Sequence, residues 1–191
     1  MQRLAARAAY AGAFGGILYA IAFVFLSNIT AASLLLMIGG LLSTVVLSYL
    51  ATTLFPVNEP IARWARALGI VAVLMSVAHG GYDLANQIHP PGSAVLADFP
   101  NPVDPRGLAT FGITGLAFLT LTTLAVRSER YPRSLARLGQ ALGIIMIVIY
   151  LGRLIILDPA NLIVRIALAA GVIANTAFLV WLARVWSRGA D

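Results

Sequence analysis

The sequence predicts an all-α integral membrane protein built as a bundle of six transmembrane helices. Of its 191 residues, 60% are hydrophobic and only 10% are charged, whereas soluble domains carry about 25% charged residues. Apolar runs that are almost free of charge recur along the chain, and each is about as long as the ~20 residues that a helix needs to cross a bilayer. They lack the alternating ~10-residue segments of a transmembrane β-barrel. We expect residues 1–191 to form one transmembrane domain.

The six predicted spans cover residues 8–26, 31–55, 64–88, 107–126, 138–157 and 161–186. The first span follows Arg3 and Arg7, as the apolar part of a secretory signal peptide follows its basic residues. It is longer than the roughly 7–15 apolar residues of a cleaved signal. We therefore expect it to be retained as a helix.

Two glycine pairs in the spans have the spacing that lets helix backbones approach each other closely. Gly12 and Gly16 lie in the first span, and Gly139 and Gly143 lie in the fifth. Such pairs predict either tight packing inside this bundle or contact with a second membrane protein.

The distribution of basic residues predicts that both termini are cytoplasmic. All thirteen basic residues are arginines, and ten of them fall at the two termini and in the second and fourth connections. Cytoplasmic segments carry an excess of basic residues, so these four segments belong on the cytoplasmic side. Trp64, Trp181 and Trp186 fall at the same boundary, where an aromatic belt would place them. We expect the plasma membrane of a bacterium or an archaeon.

The one long connection, residues 89–106, follows the third span and is predicted to be external. It holds five of the nine prolines, and proline restricts the backbone. We expect a stiff loop that caps this side of the bundle between helices 3 and 4.

Polar side chains are concentrated at the external end of the third span, in the stretch HGGYDLANQIHPP. On a helix, the spacing of these side chains places them in one stripe: His79, Tyr82, Asp83, Asn86 and His89. A charge inside the hydrocarbon layer is costly, so the stripe is expected to face the bundle interior or a wet cavity.

Charged residues of the fifth and sixth spans are predicted at the same depth. Asp83 and Arg153 each lie fifteen residues beyond the inner start of their span, which is about 22 Å by helical rise. Arg165 enters the sixth span from the external side, Asp158 lies in the turn before it, and Tyr150 precedes Arg153 by one turn. The residues predict either buried neutralisation of Asp83 or a ligand-binding site, since two arginines beside one carboxylate suit an anionic or zwitterionic ligand.

Several kinds of chemistry are excluded or disfavoured. The chain has no cysteine and no lysine, which excludes thiolate metal sites, disulfides and Schiff-base cofactors. His79 and Asp83 could share a divalent cation with His89 or Asp98, but the nearby arginines disfavour a cation. Two histidines ten residues apart on one helix are ~15 Å apart and cannot both ligate one haem. We expect no cofactor and no metal, and the arginines at helix ends do not indicate nucleic-acid binding.

The function expected from these features is binding or transport of a small anionic, zwitterionic or amphiphilic ligand from outside. In size and six-span topology the chain resembles the substrate-binding subunits of energy-coupling-factor vitamin transporters, although no motif carries that resemblance. One alternative is a non-catalytic accessory subunit, as a homo-oligomer or within a larger membrane complex. Another is a membrane enzyme acting on lipid or quinone, for which Ser76, one turn before His79, would be the nearest hydroxyl. We predict no catalytic residue.

Overall fold

A computed structural model describes residues 1–90, 92, 107–156 and 161–188, and every element in these residues is helical. Residues 93–106 of the predicted external loop and Asp158 lie outside the described residues. The six helices, α1 to α6 in chain order, are long and apolar enough to cross a membrane: Gln2–Phe25, Ile29–Thr53, Phe55–Ile88, Leu108–Val126, Arg133–Ile155 and Leu162–Arg188. The prediction of an all-helical chain with six helices of membrane-spanning length and composition is confirmed.

The largest difference from the predicted spans is the start of α3, which begins at Phe55 and not near Trp64. Its first turn is broken at Asn58, whose backbone is extended (φ −163°, ψ 96°). The Asn58 Oδ1 atom accepts a hydrogen bond from the Ile61 N–H at 3.1 Å. Asn58 therefore caps the membrane-spanning part of α3, and Pro60 falls in its first turn, where no internal hydrogen bond is lost.

The helices form a closed ring. In the part of the chain that the structure describes, each helix packs against its neighbours in sequence, and α1 also packs against α6. Because the six helices alternate in direction, the start of α1 and the end of α6 lie at one end of the bundle, which we call the terminal face; the opposite end is the distal face. The Gln2 side chain donates a hydrogen bond to the Trp186 carbonyl at 2.7 Å, which joins the first turn of α1 to the last turn of α6.

The hydrophobic core is concentrated in the half of the bundle next to the terminal face. The largest fully buried side chains all come from this half: Trp186, Phe178, Leu47, Leu50, Leu54, Leu121, Leu135, Leu142, Leu182 and Thr122. Buried residues of the distal half are mostly small, such as Ala32, Ser33, Ser76 and Ala109. The two halves therefore differ in how tightly large side chains fill them.

The predicted glycine pairs are used inside the bundle. A Cβ atom on Gly12 would meet the Leu179 side chain of α6 at 3.5 Å, so this glycine faces the last helix. A Cβ atom on Gly143 would meet the Gly115 carbonyl oxygen of α4 at 2.8 Å. A Cβ atom on Gly139 would lie 2.7 Å from the Phe178 ring of α6. Of the two uses predicted for these pairs, the structure favours internal packing.

Two helices contain a π-helical segment in their distal halves. α1 ends in Ile21–Phe25 and α4 begins with Leu108–Ile113. Single-turn π-helical insertions inside α-helices are often found at functional sites. The segment in α4 contacts both α3 and α5, and it places Thr110 beside the polar stripe of α3.

The prediction of an aromatic belt is wrong for one tryptophan. Trp64 and Trp181 are 52% and 36% exposed, as expected for side chains at a membrane boundary, but Trp186 is only 1% exposed. Trp186 lies inside the terminal half because its indole N–H finds a buried hydrogen-bond acceptor, the Tyr131 hydroxyl, at 3.0 Å.

Candidate functional site

The polar stripe of α3 contains a close contact between the His79 ring and the Asp83 carboxylate. His79 Nε2 lies 3.3 Å from Asp83 Oδ2, one helical turn further along α3, and the two side chains are 26% and 33% exposed. The other ring nitrogen, His79 Nδ1, is buried and has no hydrogen-bond partner among the described residues. A proton on Nε2 would be donated to Asp83, and this tautomer would leave Nδ1 as a buried acceptor.

The rotation of α3 is fixed by close packing against α2. A Cβ atom on Gly80 would lie 2.6 Å from the Ser33 carbonyl oxygen, and one on Gly40 would lie 2.9 Å from the Val73 carbonyl oxygen. Only glycine allows backbones to approach this closely. The helix therefore cannot turn without separating from α2, and the orientation of His79 beside Gly80 is set by that contact.

A hydroxyl pair connects the stripe to α4. Ser76, one turn before His79, is buried and donates a hydrogen bond to the Thr110 hydroxyl at 3.2 Å. Thr110 belongs to the π-helical segment of α4, and Gly112 of that segment packs against the ring of Tyr150 from α5. The polar stripe, the start of α4 and Tyr150 thus form one continuous layer in the distal half.

Tyr19 adds a side chain from α1 that the sequence did not predict. It lies close enough to Asp83 for the two groups to interact electrostatically, and its ring stacks on Phe23 with centroids 5.7 Å apart. α1 is two helices away from α3 in the ring. Neither Tyr19 nor Thr110 belongs to a periodic polar stripe, which is why sequence reasoning missed both.

The other predicted residues lie toward the distal ends of their helices. Tyr82 is exposed and Asn86 is half-buried, while His89 ends α3 with its N–H donating to the Ala85 carbonyl at 2.8 Å. Arg153 is half-buried in the last turn of α5 and donates to the Ile156 carbonyl at 3.3 Å. Arg165 is exposed in the first turn of α6.

The predicted network of Asp83, Arg153 and Arg165 is not tested by these contacts. The close contacts His79–Asp83 and Arg63–Glu59 each lie within α3, so they carry no information on Arg153 or Arg165. A ligand that joins these groups stays a prediction. Groups of three or more histidine and acidic side chains with metal-binding geometry are absent from the described residues, and Asp98 lies outside them.

A second polar cluster, which we call the terminal clasp, lies at the terminal face. Trp186 donates to the Tyr131 hydroxyl, which also lies 2.6 Å from the Thr53 hydroxyl. Tyr49 donates to the Gln2 side chain at 3.0 Å and packs edge-on against Trp186. Arg130 in turn donates to the Tyr49 hydroxyl at 2.9 Å. Burial raises the pKa of Tyr131, although the hydrogen bonds with Thr53 and Trp186 oppose this effect.

The terminal clasp closes one end of the bundle. It joins the beginning of α1, the end of α2, the connection before α5 and the end of α6 through side-chain hydrogen bonds. The core next to Tyr131 leaves a void of only about 10 Å³, roughly the volume that one water probe occupies. The core beside the clasp is therefore closely packed.

In comparisons with protein-family models, with curated proteins and with solved structures, no match to this chain was found.

Proposed function

We propose that this membrane protein binds a small anionic, zwitterionic or amphiphilic ligand in its distal half, at the polar layer built around His79 and Asp83. The observation that carries the proposal is the His79–Asp83 pair itself. Both side chains are partly exposed within an apolar helix bundle, and ionisable groups inside a membrane mark ligand or ion sites by default.

The unequal filling of the two halves supports the proposal. Large side chains and the terminal clasp fill the terminal half, whereas small residues and hydroxyl groups line the distal half. A ligand site needs space and a few directed polar groups among apolar walls. The distal half offers directed polar groups among small side chains, whereas large side chains fill the interior of the terminal half.

The chemistry of the layer fits a ligand that carries a negative charge and a hydrogen-bond donor. Arg153 at the distal end of α5 supplies a guanidinium group, which suits a carboxylate or a phosphate. Asp83 and the hydroxyls of Ser76 and Thr110 supply acceptors from α3 and α4. In this proposal Arg165 recruits the ligand at the distal end of α6, because its side chain is exposed there.

The two alternatives receive less support. An accessory subunit would present its small-residue pairs to a partner, yet Gly12, Gly139 and Gly143 face helices of this same bundle. An enzyme would need a nucleophile or a base within reach of a second reacting group. The candidate nucleophile Ser76 donates its hydrogen bond to Thr110 and not to His79.

The proposal is tested by native mass spectrometry of the protein extracted in mild detergent. We expect the wild type to carry a bound small molecule, and Asp83→Asn to lose it. Glu59→Gln is the matched control, because it removes the same charge from an exposed ion pair with Arg63 at the other end of α3. Equal retention by Asp83→Asn and Glu59→Gln would contradict the proposal, and a large co-purified protein would favour the accessory-subunit alternative.

A further inference from the structure

A groove along the exposed side of α6 combines two arginines with an apolar wall. Its volume is about 470 Å³, and it is lined by Ala177, Val180, Trp181, Arg184, Val185 and Arg188. Arg184 and Arg188 are one helical turn apart next to the terminal face, and both are exposed. Trp181, Val180 and Ala177 continue the groove from these arginines toward the middle of the membrane.

The surroundings of the groove are strongly cationic. α6 packs against α1 and α5, and the terminal ends of these two helices carry Arg7, Arg133 and Arg137. The sequences of α1, α5 and α6 contain no aspartate or glutamate. At the start of α3, by contrast, Glu59 neutralises Arg63 at 2.6 Å.

The chemistry of the groove matches one class of ligand. A guanidinium group forms two parallel hydrogen bonds with a phosphate, and it is the side chain best suited to that planar recognition. The tryptophan ring lies at the level where headgroups meet acyl chains, and the alanine and valine side chains beyond it match a hydrocarbon tail. A free phosphate would use the arginines but would leave the apolar wall uncovered.

We infer that this groove binds an anionic phospholipid, with its phosphate held by Arg184 and Arg188 and its acyl chain lying along Trp181, Val180 and Ala177. This site is separate from the proposed ligand site, because it lies on the lipid-facing side of α6 at the opposite end of the bundle. The groove places one lipid at a defined position. This binding adds to the general attraction of a cationic surface for anionic lipids.

The test is a titration of delipidated protein in detergent with phosphatidylglycerol or with phosphatidylcholine, monitored by native mass spectrometry. We expect phosphatidylglycerol to bind more tightly to the wild type. The double substitution R184Q/R188Q is expected to weaken phosphatidylglycerol binding roughly thirtyfold, which corresponds to about 1 kcal/mol for each arginine beside an anionic lipid. Inorganic phosphate is not expected to compete.

The matched control is R63Q/R66Q, which removes the same charge from the same face of the bundle but from α3. We expect it to change phosphatidylglycerol binding less than twofold, about the effect of an exposed charge. Equal losses in the two double variants would overturn the inference, because the binding would then depend on total charge. Equal binding of the two lipids by the wild type, or displacement of lipid by phosphate, would overturn it as well.

A second measurement does not depend on the arginine variants. In the Trp64→Phe protein, Trp181 is the exposed tryptophan that remains, since Trp186 is buried. Brominated phosphatidylglycerol is expected to quench the fluorescence of this variant more strongly than brominated phosphatidylcholine at the same mole fraction. Equal quenching by the two lipids would contradict a lipid-specific groove at Trp181.

Discussion

The Trp186 indole N–H donates a hydrogen bond of 3.0 Å to the Tyr131 hydroxyl, although 55 residues separate the two in the chain. Both side chains are buried, at 1% and 4% exposure. This contact is the centre of the terminal clasp, since the Tyr131 hydroxyl also reaches Thr53 on α2. A hydrogen bond between buried groups in a membrane protein is expected to be retained because an unsatisfied group has no water to replace its partner.

Replacing Trp186 by phenylalanine is expected to destabilise the bundle by about 1–2 kcal/mol. The change removes the N–H donor and leaves Tyr131 with a weaker set of partners. Unfolding of the detergent-solubilised protein, followed by circular dichroism, measures the effect. Trp64→Phe serves as the control because Trp64 is exposed, and substitutions of exposed side chains usually change stability by less than about 0.5 kcal/mol. Equal stability of the two variants would show that the clasp contributes nothing.

Tyr131 is expected to make the protein unstable at alkaline pH. Burial raises its pKa in the folded protein above the ordinary value, which is about 10 for the unfolded chain. The folded state then holds its proton more tightly, so stability is complete below pH ~10 and falls as the pH rises from there through the folded pKa. Tyr131→Phe is expected to reduce this loss.

The composition of the chain removes other titrating side chains from the measurement of Tyr131. The chain has no lysine and no cysteine, so above pH ~9 tyrosines are the side chains that titrate. Thermal unfolding at pH 9 and pH 11, together with tyrosinate absorbance near 295 nm, follows both the stability and the ionisation. A wild type that loses no more stability than Tyr131→Phe between these pH values would contradict the prediction.

Gly143→Ala is expected to destabilise the contact between α4 and α5 by about 1–3 kcal/mol, the usual cost of overpacking. The new methyl group would meet the Gly115 carbonyl oxygen and the Leu119 backbone nitrogen, both at 2.8 Å, and backbone atoms cannot move aside as a side chain can. Gly15→Ala is the control, because nothing lies within 4 Å of its Cβ position. There alanine is expected to stabilise the helix by up to about 1 kcal/mol.

The proton on His79 can be located directly because the chain contains only two histidines. In the neutral state we expect the proton on Nε2, where Asp83 accepts it at 3.3 Å. Nitrogen-15 spectra of histidine-labelled protein measure this, and His89→Asn assigns the two signals. A proton on Nδ1 of neutral His79 in the wild type would mean that the carboxylate does not orient the ring.

The spans could be predicted because crossing a bilayer imposes a length and an apolar composition that any sequence must show. The predicted helix boundaries were less accurate where a local hydrogen bond determines where a helix begins. This is the case at Asn58, whose side chain caps α3. The His79–Asp83 proximity also followed from helical spacing alone. Contacts between helices could not be predicted in this way. Tyr19 interacts with Asp83 because of the order of helices in the ring, and Thr110 contacts Ser76 from a π-helical turn.

Trp186 shows most directly that composition alone does not predict which side of a helix is buried. A tryptophan beside basic residues at a span end is typical of the membrane interface, and Trp181 fits that pattern. Five residues on, Trp186 points to the other side of the same helix and is buried against Tyr49. Only the packing of α6 against the rest of the bundle distinguishes the two positions.

The closed ring of helices also affects the order in which this protein can be assembled during translation. Gln2 is synthesised 184 residues before Trp186, whose carbonyl accepts its hydrogen bond. Helix α1 must therefore remain in the bilayer with its α6 contacts unmade until α6 has been synthesised. A ribosome that stops before the last helix would release a product in which the polar groups of Tyr49, Arg130 and Tyr131 lie open on the cleft where α6 belongs.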